Sequence, residues 1–350
     1  GTCCHTLWFK LKSFQFQIIP IPIMGLQVSC MKHCDLHDIP IIEFSRRVSV
    51  ASLTSDTSGS STSTWSDEEE QALPVMCGFG GEELKRFHWV PPKGWDEHAQ
   101  NLGISARNTL HWDGRAPLPI APIGGKSWLL PCSDKLSLRI AKLQEKLKSC
   151  GWKIITSPVH IIESLGNKAN LPGFADRIGM VDFLPMHFAA PESAVYPCVL
   201  KPCQGEFGKN SYICNSKDEV YKYAPEFSPK KWVLQELVPG NVEFSVSLLV
   251  SYGSIMDMVG MRYTYDRAVY IWPNVVEVHR ELCLVPLRHV NIMARFLQEY
   301  DGILNFNYKQ RPDGRICIFE VNTRIGADLG CDAPRERARQ LFQLLDRLRS

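Results

Sequence analysis

The segment from Gly302 to Arg324 reads GILNFNYKQRPDGRICIFEVNTR, and it consists of two apolar runs with a polar stretch between them. Residues 312–315, Pro-Asp-Gly-Arg, predict a tight turn with Asp313-Gly314 as its two-residue loop. Pro312 would then pair with Arg315 across the turn. The segment therefore predicts a β-hairpin.

One face of this hairpin is polar. Counting outward from the turn places Asn307 opposite Glu320 and Asn305 opposite Asn322. Successive side chains of a strand point to opposite faces, so these four side chains share one face, with Arg324 beyond them. A carboxylate among amide oxygens suits a hard cation such as Mg²⁺. The alternative is a half-buried sheet with a polar outer face.

The other face is apolar and predicts a core contact. Its side chains are those of Leu304, Phe306, Cys317, Phe319 and Val321.

The length, composition and net charge of the chain limit its domain number, partners and compartment. The chain has 350 residues, which predicts one to three domains, and its 45% hydrophobic content is sufficient for sizeable cores. The net charge of +2 gives no global reason to expect a nucleic acid or an anionic membrane as partner. Thirteen cysteines without regular spacing, several in apolar surroundings, indicate core thiols and a reducing, cytoplasmic compartment.

The N-terminal part is predicted to differ from the rest. Residues 1–43 form a segment of uncertain structure, and the start at Gly1 instead of Met favours an incomplete or altered N-terminus. Residues 44–71 are rich in Ser, Thr and acidic residues, and they predict a disordered linker.

From residue 72 the sequence is typical of a folded protein. Residues 127–131, 134–149 and 152–157 predict a strand, an amphipathic helix and a second strand, which indicates an α/β layer. Further helices are predicted at 161–180 (interrupted at Pro172), 216–223, 290–300 and 335–349, and further strands at 196–202, 211–214 and 231–238. Residues 244–259 predict a hairpin that turns at Tyr252-Gly253.

Four separated segments share chemistry suited to a nucleotide. They are NKANLPGFADRIG with Lys168, CVLKPCQGEFGKNS with Lys201, WVLQELVPGNVEFSV with Glu236 and Glu243, and the hairpin itself. Lys201 ends an apolar strand, and a buried ammonium group needs an anion such as a phosphate. A lysine that extends to solvent is the alternative.

The order and spacing of these segments resemble the ATP-grasp superfamily, in particular carboxylate–amine ligases and carbamoyl-phosphate-synthase-like proteins. The resemblance covers roughly residues 125–330. It implies an α+β / α/β fold in which residues 161–350 form two α+β lobes that clasp ATP, with a lid lobe at about 195–238. Residues 72–160 would form a partial Rossmann-like domain that precedes it.

The resemblance also implies roles for individual residues. Lys168 and Lys201 would contact the phosphates, and Lys201 the adenine as well. Gly205 and Gly208 belong to a loop whose backbone N–H groups would cover the phosphates. This loop runs from Gln204 to Asn210, and Glu206, Phe207 and Lys209 within it depart from the family's glycine-rich pattern.

The segment from Gln235 to Val238 is implied to join the two lobes. Gln235, Glu236 and Val238 would receive the adenine edge, and Glu243 the ribose hydroxyls. Glu243 as a charged residue of an edge strand is the alternative.

Asn307, Glu320 and Asn322 match the family's metal ligands and are implied to hold Mg²⁺, or Mn²⁺ in its place. Asn307 stands where a carboxylate is commoner, which lowers the negative charge of the site. Arg324, with Lys201, is implied to be catalytic, and it would hold the acyl substrate or its phosphate. Arg262 and Arg280 are further candidates for that anion.

The implied activity is that of an ATP-dependent ligase, which activates a small-molecule carboxylate as an acyl phosphate for attack by an amine. Two alternatives stay open. One is a bicarbonate-phosphorylating enzyme similar to carbamoyl-phosphate synthase, and the other is a nucleotide-binding regulator without turnover. The sequence indicates neither the substrates nor an oligomeric state.

Overall fold

The computed structural model describes residues 86–90, 109–122, 127–205 and 208–349. The predicted N-terminal segment 1–43 and the predicted linker 44–71 lie outside these residues, as do Glu206 and Phe207 of the glycine-containing loop. The described residues form helices together with mainly antiparallel sheets, which confirms the predicted mixed class.

The helices and strands follow in chain order. They are β1 (Phe87–Val90), β2 (Trp128–Pro131), α1 (Asp134–Ser149), α2 (Val159–Gly166), α3 (Leu171–Arg177), β3 (His187–Phe188), β4 (Cys198–Pro202), β5 (Tyr212–Cys214), α4 (Lys217–Tyr223), β6 (Trp232–Glu236), β7 (Val242–Ser251), β8 (Ser254–Tyr265), β9 (Glu277–Cys283), α5 (Leu287–Phe296), β10 (Gly302–Gln310), β11 (Ile316–Asn322) and α6 (Arg335–Leu348).

The first strands and α1 form the N-terminal layer. Strands β1 and β2 pair in parallel, and α1 spans the predicted residues. Ser133 caps α1 by accepting a hydrogen bond from the Leu136 N–H, and Gly151 follows the helix with a φ of +89°. The predicted strand 152–157 is wrong, because only a single bridge from Lys153 to Trp128 forms there.

The predicted helix 161–180 is two helices, α2 and α3. The break falls at residues 167–170 and not at Pro172, which lies in the first turn of α3. Proline is tolerated there because its missing N–H would have had no partner within the helix.

A five-stranded antiparallel sheet carries the hairpin. Its strand order is β11-β10-β7-β8-β9. The β7–β8 turn lies at Tyr252-Gly253 as predicted, and both residues have a positive φ, as a tight hairpin turn requires. One face of the sheet packs Val246, Leu304 and Phe306 against the helices α3 and α5.

A four-stranded sheet, ordered β3-β6-β4-β5, forms a second layer. One of its faces buries Cys198, Leu200 and Leu234 against α4. Because strand side chains alternate, Lys201 and Gln235 belong to the opposite face.

The hairpin has the predicted pairs near its site but not the predicted turn. Asn307 lies opposite Glu320 and Asn305 opposite Asn322. The predicted pair of Pro312 with Arg315 is wrong, because the last strand pair is Gln310 with Ile316. A β-bulge at Phe319 adds one residue to β11 and restores the predicted register beyond it.

The bulge also changes which side chains share a face. Cys317 pairs with Lys309, which has the same parity as Asn305 and Asn307, so Cys317 faces the polar side and not the core. Ile316 and Ile318 fill the core in its place. Phe319 is only partly buried, and the predictions for Cys317 and Phe319 are therefore wrong.

Candidate nucleotide and metal site

The polar face of the hairpin carries two separate sets of hydrogen-bonded side chains. The Asn307 amide donates to Glu320 Oε2 at 3.4 Å, and the Asn322 amide donates to Asn305 Oδ1 at 3.2 Å. Asn305 in turn donates to the Ser245 hydroxyl on the neighbouring strand. Asn307 thus contacts Glu320, whereas Asn322 contacts Asn305 on the same face of the hairpin.

Lys168, in the segment between α2 and α3, contacts Glu320. Its Nζ lies 2.7 Å from Glu320 Oε1, and both side chains are largely buried. Burial opposes the charge of Glu320, but Lys168 and then Lys201 outweigh it and lower the pKa of Glu320 to about 2. For Lys168, burial is likewise outweighed by Glu320, so its pKa is raised. Lys168 and Glu320 thus form a largely buried ion pair in which both side chains stay charged.

Lys201, on β4 of the four-stranded sheet, contacts the hairpin next to Glu320. Its side chain is buried, and Nζ donates to the Phe319 carbonyl at 3.0 Å. Burial and then the charge of Lys168 lower the pKa of Lys201 to about 8. A buried ammonium group whose pKa is lowered by a neighbouring cation would gain from a polyanion such as a triphosphate.

The glycine-containing loop contacts both sides of the site. The Gly205 carbonyl accepts a hydrogen bond from Lys168 Nζ at 3.1 Å. Gly208 has a φ of +62°, and a Cβ atom there would lie 1.9 Å from the Trp272 carbonyl oxygen. Only glycine fits this close approach.

The end of β6 and the residues after it hold Glu236, whose carboxylate has protein partners that were not predicted. Both carboxylate oxygens of Glu236 bind Arg311, at 2.5 and 2.7 Å, and one of them also accepts from the Met186 N–H at 3.0 Å. The Glu236 carboxylate is therefore occupied by contacts within the protein. Gln235 is buried on the face of Lys201, and the Val238 carbonyl accepts from Lys309 at 3.4 Å.

Glu243 lies on β7, two strands from Glu320. Tyr270 donates its hydroxyl to Glu243 Oε2 at 3.0 Å. Burial raises the pKa of Glu243 to about 7, although the charge of Lys309 and the Tyr270 hydrogen bond act against it. At neutral pH this carboxyl group is therefore only partly ionised.

Arg324 lies at the end of β11, where it approaches α1. It donates to Asn322 Oδ1 at 3.1 Å and to the Ile325 carbonyl at 3.0 Å, and its Nε lies 3.8 Å from the Asp134 carboxylate. Neither Arg324 Nε nor Asp134 Oδ1 has a hydrogen-bond partner among the described residues. Both atoms are buried, so Arg324 and Asp134 form a long ion pair that no hydrogen bond between these two atoms completes.

The two further arginines are paired elsewhere. Arg262 binds Glu281 at 2.8 Å, and both side chains are exposed. Arg280 binds Glu277 and Asp332. Neither arginine contacts Glu320 or Arg324 in the described part of the chain.

Asn307, Glu320 and Asn322 are the candidate metal ligands. No group of three or more His, Cys, Asp or Glu side chains that could hold a metal ion occurs among the described residues. Glu320 with the amide oxygens of Asn307 and Asn322 supplies one charged and two neutral oxygen ligands. Mg²⁺ commonly takes one or two carboxylates and completes its shell with water and substrate phosphates, so the set fits Mg²⁺ that arrives with a nucleotide.

Sequence reasoning missed four residues of this neighbourhood: Asp134, Tyr270, Lys309 and Arg311. Lys309 has a sequence signal, because it continues the alternation of Asn305 and Asn307 along β10. Tyr270 lies between β8 and β9, and Asp134 begins a helix far from the hairpin in sequence. No local pattern connects either of them with the site.

No protein-family model matches the chain, and no curated protein matches its sequence. An L-amino acid ligase structure from Bacillus licheniformis is 15% identical with a TM-score of 0.47, over 70% of this chain and 68% of that one. A D-alanine–D-alanine ligase from Bacillus anthracis is 14% identical with a TM-score of 0.48, over 75% and 97%.

A biotin carboxylase domain from Hydrogenobacter thermophilus, solved with MgADP and bicarbonate, is 18% identical with a TM-score of 0.41, over 62% of this chain and 54% of that one. At such identities and TM-scores, these three structures carry no argument about the activity or the individual residues of this chain, and the proposed function rests on the site itself. No helix of the described ranges has both the length and the apolar character needed to cross a bilayer.

Proposed function

We propose that this protein is an ATP-grasp ligase that uses Mg²⁺-ATP to activate a small-molecule carboxylate for attack by an amine. The observation that carries the proposal is the meeting of Lys168, Lys201 and Glu320 beside Asn307 and Asn322. Two buried cations next to an oxygen donor set match a metal-bound triphosphate in charge and in chemistry. Residues 161–350 would form the ATP-grasp domain with its lid at about 195–238, after an α/β domain at 72–160.

The chain's own residues supply positioning and charge. Lys168 and Lys201 would hold the phosphate oxygens, and the loop around Gly205 and Gly208 would exclude water. A carboxylate oxygen of the substrate would attack the γ-phosphorus and break its bond to ADP, which gives an acyl phosphate. Arg324 would neutralise that anion until the amine displaces phosphate and forms the amide.

Asn307, Glu320 and Asn322 would hold the metal. When bound, Mg²⁺ would supply charge neutralisation of the phosphate oxygens. Glu320 is paired with Lys168 in this structure, so Lys168 would exchange part of that contact for the phosphates.

The test is ADP release with Mg²⁺ over pooled carboxylates and amines, compared between the wild type and Glu320→Ala. We expect at least a hundredfold loss, on the order of 3 kcal/mol of transition-state stabilisation. Glu281→Ala, which removes an exposed carboxylate bound to Arg262, is the matched control and should keep full activity. Equal rates in the wild type and Glu320→Ala would remove the role assigned to this carboxylate, and ADP release with bicarbonate alone would indicate the carbamoyl-phosphate-synthase-like reaction.

One observation favours a second candidate, a nucleotide-binding regulator without turnover. The metal set has a single carboxylate, and Asn307 offers its amide nitrogen to Glu320. Such a site would bind Mg²⁺ weakly. Tight ATP binding without ADP release across the substrate pool would support this candidate over the ligase.

A further inference from the structure

A chain of buried polar side chains leads from Asn322 across the five-stranded sheet. The Asn322 amide donates to Asn305 Oδ1 at 3.2 Å. The Asn305 amide donates to the hydroxyls of Ser245 at 2.8 Å and Ser247 at 3.5 Å, and Ser247 donates to Asp328 Oδ2 at 2.9 Å. All five side chains belong to buried residues, so bulk water does not compete for these hydrogen bonds.

Asp328 sets the direction of this chain. Burial raises the pKa of Asp328 to about 6, although the Ser247 hydrogen bond acts against it, so at pH 8 the carboxylate is ionised and can only accept hydrogen bonds. The Ser247 hydroxyl proton is therefore directed at Asp328, which leaves the Ser247 oxygen as an acceptor for Asn305. Asn305 consequently turns its NH₂ group to the serines and its oxygen to Asn322.

Arg324 lies at the opposite end of the chain. A guanidinium group can only donate, and Arg324 donates to Asn322 Oδ1 at 3.1 Å. The donor at one end and the acceptor at the other thus favour the same orientation of the Asn322 amide. In the proposed reaction Arg324 would bind the acyl phosphate instead, and the contacts that begin at Asp328 would then keep the oxygen of Asn322 facing away from Asn305.

The backbone at Gly326 allows Asp328 to come close to Asn305. A Cβ atom at Gly326 would clash with Asp328 Oδ1 and would lie 3.0 Å from Asn305 Cγ. Asp328 begins a π-helical turn, Asp328–Asp332, and its carbonyl accepts from the Ala333 N–H at 2.7 Å. Asp328 Oδ1 has no hydrogen-bond partner within the described ranges, so the carboxylate is anchored to the sheet through Oδ2 and Ser247.

We propose that Asp328 is a positioning residue that acts through Ser247 and Asn305 to keep the amide oxygen of Asn322 available to a divalent cation. The inference rests on the proposed metal and nucleotide site, and it adds three residues that are not themselves candidate ligands. If the Asn322 amide were reversed, it would offer its NH₂ group to the cation, and an amide NH₂ group is a donor that cannot serve as a ligand.

The experiment measures the affinity for a fluorescent ATP analogue at pH 8 with and without Mg²⁺, and the readout is the ratio of the two affinities. In Asp328→Leu the Ser247 hydroxyl loses its acceptor and is free to donate to Asn305 Oδ1, which reverses the chain. The gain from Mg²⁺ should then fall about fivefold, the effect of a single hydrogen bond. The affinity without Mg²⁺ should stay within about twofold of the wild type, whereas general damage to the fold would lower both affinities. Ser247→Ala breaks the same chain with a smaller change, and it serves if Asp328→Leu does not fold.

Ser245→Ala is the matched control. Ser245 accepts from the same Asn305 amide and lies on the same strand, but Asp328 accepts from Ser247. Ser245→Ala should therefore keep the gain from Mg²⁺. A full gain from Mg²⁺ in Asp328→Leu and Ser247→Ala, or an equal loss in Ser245→Ala, would overturn the role of Asp328 and leave the metal site intact. A wild type that binds the nucleotide without any gain from Mg²⁺ would remove the proposed metal site, and this inference with it.

Discussion

Replacement of Glu243 by glutamine should stabilise the free protein at neutral pH, although it removes a residue of the proposed site. In the folded chain, burial raises the pKa of Glu243 from 4.5 to about 7. An unfolded chain releases this proton near pH 4.5, whereas the folded chain keeps it until about pH 7. Between these values the folded state holds the extra proton, so its stability falls as the pH rises.

The size of the effect follows from the two pKa values. A rise from 4.5 to about 7 corresponds to about 3 kcal/mol of unfolding free energy, lost in full once the pH exceeds 7. Glutamine has no such proton and can still accept the Tyr270 hydrogen bond. The stability of Glu243→Gln relative to the wild type should therefore increase by most of this amount between pH 5 and pH 8.

The assay is urea unfolding at pH 5, 6, 7 and 8, followed by tryptophan fluorescence. Glu145→Gln is the control, because the Glu145 side chain is 77% exposed on α1, and its profile should run parallel to that of the wild type. Two results would refute the raised pKa of Glu243: an unfolding free energy of Glu243→Gln that runs parallel to that of the wild type from pH 5 to pH 8, or a difference between the two that grows as the pH falls.

Three further predictions concern the same neighbourhood. Asn307→Asp adds a second carboxylate to the metal set and should strengthen Mn²⁺ binding in the presence of nucleotide by about tenfold, measured by paramagnetic relaxation; an unchanged affinity would separate Asn307 from the metal. Gly208→Ala should destabilise the protein by at least 2 kcal/mol in thermal unfolding, because the added Cβ meets the Trp272 carbonyl, whereas Gly314→Ala has the same positive φ with open space around it and should cost only about 1 kcal/mol. Lys168→Met should weaken Mg²⁺-ATP binding at least tenfold, by titration with a fluorescent nucleotide, and binding equal to the wild type would place Lys168 outside the site.

The sequence was informative where side-chain alternation and turn chemistry act locally. Asn307 opposite Glu320 follows from counting along two strands, and the helix α1 follows from its apolar stripe and its cap. The count at the turn was one residue off, and the bulge at Phe319 corrected it before the site was reached. No local signal indicates a bulge, so the orientation of Cys317 could not be predicted.

Side-chain contacts between segments that are distant in the sequence could not be predicted from local sequence patterns. Nothing in the residues around Glu236 indicates that Arg311 binds its carboxylate, because the two meet only after β6 packs beside the hairpin. The same holds for Tyr270, which reaches Glu243 from a loop between strands. Residues of this kind are placed by tertiary packing, which overrides local preference.

The central claim is that Glu320 holds a metal that a bound triphosphate shares. Its most direct test is the titration of the wild type and Glu320→Ala with a fluorescent ATP analogue, with and without Mg²⁺. The account predicts that Mg²⁺ strengthens binding at least tenfold in the wild type and in Glu145→Ala, and that Glu320→Ala loses this gain. An equal gain from Mg²⁺ in Glu320→Ala would contradict it.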